Sequence, residues 1–169
     1  MRKLKEVMLI AFFCAITINY ATAQEAKISA KKISPSIIQN LDKDYHERGK
    51  TKFYVEKKND SLYIEANFKF KNQNHSLIFD KNGNLKEVEI EIKWNELSDS
   101  IKKVIENKLL TKYNSFKITK IQIVNPRSLN ALYEINIKSK GNAYEVFFDK
   151  EGKIINYKEL EFSPINTQF

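Results

Sequence analysis

The feature that most constrains the fold of this chain is a segment that occurs twice. The heptapeptide FDKNGNL at 79–85 returns as FDKEGKI at 148–154, an offset of 69 residues. A leucine and a tyrosine upstream of each copy also match, at an offset of 68: Leu41, Tyr45, Leu109 and Tyr113. Self-similarity at a fixed period indicates repeated structural units. The sequence therefore predicts two copies of one unit of nearly seventy residues.

Each predicted unit begins with a helix. In the first, Ser34 and Pro35 are typical of an N-cap followed by proline at the first helical position. Apolar residues then follow at helical spacing, and Gly49 is expected to end the helix: Ile37, Ile38, Leu41 and Tyr45. In the second, an apolar stripe extends over about four turns: Leu97, Ile101, Val104, Ile105, Leu109 and Tyr113.

After each helix the hydrophobic period changes from 3.6 to 2, as strands require. We predict strands near 51–57, 60–70, 75–80 and 84–92 in the first unit, and near 116–124, 130–139, 142–149 and 153–161 in the second. The short connections between them favour antiparallel hairpins. The predicted fold class is α+β, with one antiparallel sheet of about eight strands formed by both units. Both helices cover one face, and the opposite face is free to meet a partner.

The N-terminus has the layout of a secretory signal peptide. Basic residues precede an apolar run at 7–18, and small residues follow up to Ala23. We predict cleavage after Ala23 and a periplasmic or secreted protein. A membrane anchor is the alternative, but the run is shorter than the roughly 20 residues that cross a bilayer. Lipidation at Cys14 is a second alternative, which the bulky Phe13 before it disfavours.

Composition limits what the mature chain can do. Cys14 is the only cysteine, so cleavage leaves neither a disulfide nor a reactive thiol. Three of 29 basic and one of 21 acidic residues are removed, which leaves a formal net charge of +6. Lysines are scattered among acidic residues, so no nucleic-acid partner is expected. We predict a linker at 24–33, one domain comprising repeats at 34–93 and 94–162, and a tail at 163–169. The oligomeric state is left open.

No residue pattern typical of catalysis or of cofactor binding is present. The four glycines are isolated and cannot form a phosphate-binding loop. Serines at the helix starts are expected to be caps, and none lies in a Gly-x-Ser-x-Gly motif. His46 and His75 lack further ligands at metal-binding spacing, and both are expected at the surface. The chain is therefore predicted to be no enzyme and to hold no cofactor.

Two groups of oxygen-bearing side chains could form either a functional site or an ordinary turn or strand. Oxygen-bearing side chains at alternate positions before glycine form a fragment of a calcium loop: Asp80, Asn82, Asp149 and Glu151. Because the loop lacks its closing glutamate, a hairpin turn is the preferred interpretation and these are weak metal candidates. Three glutamates line one face of a strand: Glu87, Glu89 and Glu91. With nothing apolar expected around them, they are predicted to be solvated carboxylates.

Five aromatic residues occupy positions that could expose them: Tyr54, Tyr63, Trp94, Phe147 and Tyr157. Exposed aromatic residues on a sheet are typical of protein-binding surfaces, and these five are the candidate partner contacts. Partial burial at sheet edges or under the helices is the alternative, because sequence alone does not fix strand register.

The predicted unit resembles a known family. The segments LIFDKNGNL at 77–85 and YEVFFDKEGKII at 144–155 resemble those of the PepSY-like family of secreted or periplasmic bacterial proteins, whose fold is similar to the beta-lactamase inhibitory protein (BLIP). The residues around the second helix, at 96–98 and 113–118, resemble it too. The resemblance covers about residues 34–161. It implies an extracytoplasmic binding or inhibitory role, with proteases or cell-wall hydrolases as targets, and supplies no catalytic residues.

The functional expectation combines these observations. We expect a non-enzymatic protein that engages a protein or peptide of the cell envelope on the open face of its sheet. A periplasmic sensor that responds to a small ligand or to calcium is the alternative.

Overall fold

The computed structural model describes residues 26–58 and 61–160. Within them are two α-helices, α1 (Pro35–Asp44) and α2 (Asp99–Tyr113), and short 3-10 turns at Ala30–Lys32 and Trp94–Glu96. The strands are β1 (Ala26–Ile28), β2 (Lys52–Lys58), β3 (Ser61–Phe70), β4 (Gln73–Asp80), β5 (Leu85–Glu91), β6 (Lys117–Val124), β7 (Leu132–Ser139), β8 (Asn142–Phe148) and β9 (Ile154–Leu160). The predicted signal peptide, Cys14 and tail lie outside the described residues.

The strands form one antiparallel sheet in which strand order equals chain order, from β1 to β9. The predicted α+β class is confirmed. One correction concerns the segment predicted as a linker: it contains β1, which pairs with β2 through Ala26 and Val55. The described sheet therefore has nine strands, where about eight were predicted. The duplication of the unit stays a prediction.

The helices begin where the sequence indicates, but the first ends early. Helix α1 starts at Pro35 and ends at Asp44, before Gly49. The Gly49 N–H instead donates to the Lys69 carbonyl at 2.7 Å. Helix α2 is capped by the Ser98 hydroxyl, which accepts from the Ile101 amide. In the part of the chain that the structure covers, no helix is long and apolar enough to cross a membrane.

Both helices pack on the same side of the sheet. Helix α1 buries Ile37 and Leu41 in a cluster with residues of β2 to β4: Phe53, Ala66, Phe68, Leu77 and Phe79. Helix α2 buries Ile105 and Leu109 in a second cluster with residues of β6 to β8: Ile121, Ile135, Ile137, Val146 and Phe148. Successive cross-strand partners, which share a face, connect the two clusters: Phe68, His75, Ile90, Ile123, Tyr133 and Phe148.

The alternate residues form the other side of the sheet, which we call the open face. A row of cross-strand partners traces it from β2 to β7: Lys52, Asn67, Ser76, Glu89, Val124 and Leu132. Neither α1 nor α2 lies on this side. We predicted that both helices would cover one face of the sheet and leave the other without a helix. For the described residues this is confirmed.

Candidate functional site

Three glutamates interact near the middle of the open face, Glu87 and Glu89 on β5 and Glu134 on β7, and Glu65 on β3 shares this face with them. We call these four residues the carboxylate cluster. The Ser76 hydroxyl donates to Glu65 Oε1 at 2.7 Å, and Gln122 Nε2 donates to Glu89 Oε2 at 2.7 Å. Glu134 is only 9% exposed. Glu65 and Glu89 are therefore held in place by neutral donors from the intervening strands.

Glu89 has an unusual protonation equilibrium. Burial, together with the nearby carboxylates of Glu134 and Glu87, raises its pKa to about 8, while Lys120 opposes the shift. The prediction of a solvated carboxylate is therefore wrong for Glu89. Its direct cross-strand partner on β6 is the buried Val124, and the buried Ile78 lies opposite Glu87. Apolar side chains thus belong to the open face and exclude water from this group.

This shift predicts a pH dependence of stability. The native fold favours neutral Glu89, so its contribution is complete below the ordinary pKa of 4.5 and is lost as pH rises through about 8. Relative to Glu89→Gln, the wild-type free energy of unfolding should fall by about 4 kcal/mol between pH 5 and pH 9. Urea denaturation across this range measures it. Glu106→Gln, at an exposed site on α2, should follow the wild type. Parallel curves for wild type and Glu89→Gln would contradict the assignment.

A basic pocket lies beside the carboxylate cluster. This lysine pocket has a volume of about 390 Å³, and its charged lining residues are Lys50, Lys52, Lys69, Lys120 and Glu91. Glu91 accepts a hydrogen bond from Asn74 Nδ2 at 2.9 Å. The side-chain amides of Asn67 and Gln122 also line the space. Ammonium groups and amide donors that converge in this way can hold a carboxylate or another anionic group.

A second pocket opens between β5 and β6. The two strands pair through only three residue pairs, from Glu89–Val124 to Glu91–Gln122. Beyond them is a space of about 480 Å³, the seam pocket, whose apolar lining residues are Ile92, Trp94, Phe116, Ile118 and Ile121. Charged residues line it as well, among them Lys93, and Glu106 on α2. Glu91 and Lys120 line both this space and the lysine pocket. The two pockets therefore adjoin.

The five candidate aromatic residues do not share one surface. Tyr54, Tyr63 and Phe147 belong to the open face, where Tyr54 lies opposite Glu65 and Phe147 opposite Glu134. Trp94 lies in the seam pocket, packed against the cluster under α2. Tyr157 lies opposite Val146 and so on the helix side, where Lys112 Nζ is 3.2 Å from its ring centroid. Their role as partner contacts stays a prediction.

The weak metal candidates form hairpin turns. Asp80 Oδ1 accepts from the Asn82 and Asn84 amides, both at 2.9 Å. Hydrogen bonds from Asn84 hold the pKa of Asp80 below its usual range. Asp149 Oδ1 accepts from the Glu151 and Lys153 amides in the same way. Among the described residues, no group of three or more acidic, histidine or cysteine side chains could hold a metal ion. These contacts support the turn interpretation.

The burial of one histidine differs from the prediction. His75, expected at the surface, is buried, because the register of β4 turns it toward the helix side. There it stacks on Phe68 and meets Tyr45 and Phe70 edge-on. Burial lowers its pKa. It therefore belongs to the core and does not face the carboxylate cluster.

The fold places the chain in a class of α+β proteins with BLIP-like architecture. No family model and no curated protein matches the sequence. A DUF2874 family protein from Bacteroides uniformis is similar in structure, with a TM-score of 0.61 and 13% identity over 78% of this chain and 93% of that one. A BLIP-like protein from Bacteroides fragilis gives a TM-score of 0.56 and 21% identity over 75% and 86%.

A candidate periplasmic protein from Bacteroides eggerthii is also similar, with a TM-score of 0.57 and 12% identity over 75% of this chain and 88% of that one. At these identities the likenesses show the fold. The predicted similarity to the BLIP fold is confirmed, whereas membership of the PepSY-like family stays a prediction.

Proposed function

We propose that this chain is a non-enzymatic extracytoplasmic protein that binds a protein or peptide on its open face. One observation carries the proposal: the sheet side without helices holds apolar and aromatic side chains among its charges. Ile78 and Val124 are buried there, and Tyr54, Tyr63 and Phe147 are half-buried. Aromatic groups beside charged ones are typical of interfaces. The signal-like N-terminus and the fold likeness to a candidate periplasmic protein support an extracytoplasmic location.

The arrangement of the carboxylate cluster favours binding over catalysis. Glu65 and Glu89 are held by Ser76 and Gln122, so their orientations are fixed by neutral neighbours. His75, which could have acted as a base, belongs to the helix-side core. By analogy with the BLIP-like architecture, the target class we favour is an envelope protease or hydrolase that the protein inhibits or regulates.

Site-specific photocrosslinking tests the proposal. p-Benzoylphenylalanine replaces Asn67, on the open face, or Lys103, exposed on α2. In envelope extracts the first position should give a discrete adduct that the second does not. The partner is identified by mass spectrometry and purified, and its affinity should fall about tenfold for Tyr54→Ala with Phe147→Ala. Equal adducts from both positions, or turnover of hydrolase substrates by the pure protein, would contradict the proposal.

The calcium-responsive alternative makes a different prediction. Because the turn's own amides already occupy Asp80 Oδ1 and Asp149 Oδ1, millimolar calcium should shift the melting temperature by less than about 1 °C. Thermal melts with calcium or with magnesium measure the shift. A rise of several degrees, abolished by Asp80→Asn with Asp149→Asn, would favour the sensor.

A further inference from the structure

We propose that the seam pocket and the lysine pocket form one composite site, which accepts an acidic peptide segment with an apolar anchor. The anchor side chain enters the seam beside Trp94, and carboxylates of the same segment bind the lysines. This inference rests on the proposed function and names the chemistry of the partner. It also gives a role to the gap between β5 and β6, which the side chains of the two buried clusters do not fill.

The seam exists because the ladder between β5 and β6 is short. After the Ile92 amide donates to the Ile121 carbonyl at 3.0 Å, the chain leaves the sheet at the Trp94–Glu96 turn. The first half of β6 pairs with β7 alone, with a register shift between Ile118 and Lys120. The gap lies between partly buried Trp94 and Phe116, and its volume of about 480 Å³ suits a bulky side chain.

The lysine pocket supplies the charge preference. Lys52 lies opposite Asn67 and Lys69 opposite Asn74, so amides, not carboxylates, are their direct neighbours across the strands. Among the described residues, no ion pair is found for Lys50, Lys52 or Lys69. Four lysines and one glutamate leave the pocket with an excess of positive charge, and a bound carboxylate reduces the repulsion among the lysines. The complementary partner is therefore acidic.

The two pockets are close enough for one short segment. Glu91 and Lys120 line both of them. An extended peptide advances by about 3.3 Å per residue, so an anchor and the next few side chains can span the shared wall. Lys120 is the cation at the junction, and the Glu91 carboxylate beside it accepts a hydrogen bond from Asn74. An aromatic or branched aliphatic residue followed by acidic residues fits this order.

The chain contains a single tryptophan, Trp94, so its fluorescence reports on the seam directly. The probe is the peptide acetyl-Phe-Asp-Glu-Asp-amide, titrated into the mature full-length chain. Two comparison peptides replace the acids by amides, or the phenylalanine by alanine. The acidic peptide with its anchor should give a saturable change in Trp94 emission that weakens as salt rises. Both comparison peptides should bind at least about fivefold more weakly.

Matched variants separate the pocket from general charge. Lys52→Gln with Lys69→Gln should weaken the acidic peptide about tenfold. Lys103→Gln with Lys108→Gln, which removes the same charge from exposed positions on α2, should leave its affinity unchanged. No saturable change, equal affinity for all three peptides, or equal loss in both double variants would overturn the composite site.

The tests of the composite site and of the open-face proposal can fail independently of each other. A partner identified through Asn67 whose affinity is unchanged in the Lys52→Gln, Lys69→Gln variant would overturn the composite site and leave the open-face proposal standing. Conversely, a specific response of Trp94 to the acidic peptide, together with a partner whose affinity is unchanged in the Tyr54→Ala, Phe147→Ala variant, would support the composite site and count against the open-face proposal.

Discussion

Replacing Phe148 by alanine should lower the free energy of unfolding by about 3–5 kcal/mol, and Phe79→Ala should have a similar effect. Both side chains are fully buried, Phe79 in the cluster under α1 and Phe148 in the cluster under α2. Each truncation removes buried apolar surface and leaves a cavity in a close-packed core. Urea denaturation followed by circular dichroism measures both changes.

Phe147 provides the matched control. It is the neighbour of Phe148 on β8, but it belongs to the open face and is only half-buried. Phe147→Ala should cost about 1 kcal/mol. Because one continuous sheet joins both clusters, each variant should still unfold in a single transition. Equal losses for Phe147→Ala and Phe148→Ala would contradict the assignment of faces.

The second large effect is expected at Gly152, in the hairpin between β8 and β9. Its φ of +82° is unfavourable for residues with a Cβ. A Cβ there would also lie 2.7 Å from Val104 Cγ1 on α2. Backbone strain and overpacking together should make Gly152→Ala about 2–4 kcal/mol less stable. Thermal and urea unfolding measure the loss.

Two further variants separate the loss due to backbone strain from the loss due to overpacking against Val104. Gly141 has a φ of +87°, and a Cβ at this position would meet nothing within 4 Å, so Gly141→Ala should cost only the backbone part, about 1–2 kcal/mol. Adding Val104→Ala to Gly152→Ala should recover part of the loss, since it removes the clashing methyl. Equal losses at the two glycines, with no recovery in the double variant, would show that hairpin packing against α2 is unimportant.

The strands were predictable because each carries a local signal. In β3, Ile64, Ala66 and Phe68 alternate with polar residues, and short turn motifs bound the strand. Strand β1 was missed because three residues, Ala26–Ile28, are too few to show a period. The early end of α1 was missed because Gly49, a usual helix terminator, serves in a contact with β3 instead.

The candidate site depends on long-range register, which no local pattern contains. Glu89 and Glu134 are acidic residues on separate strands, and only the sheet brings their charges within range of each other. The placement of Val124 opposite Glu89 likewise follows from the pairing of β5 with β6. Trp94 could be singled out from sequence, but the pocket beside it arises from the shortness of that ladder. Alternation alone predicted the face of Glu89 and not its surroundings.

The sequential strand order has a consequence for how the molecule forms. Every strand pairs with its neighbours along the chain, so contact order is low and little loop-closure entropy opposes each pairing. The widest excursions, between β1 and β2 and between β5 and β6, contain α1 and α2, which shorten the distance to be closed. Assembly of the described sheet can thus proceed hairpin by hairpin, and none of its nine strands has to wait for a partner that is distant in the chain.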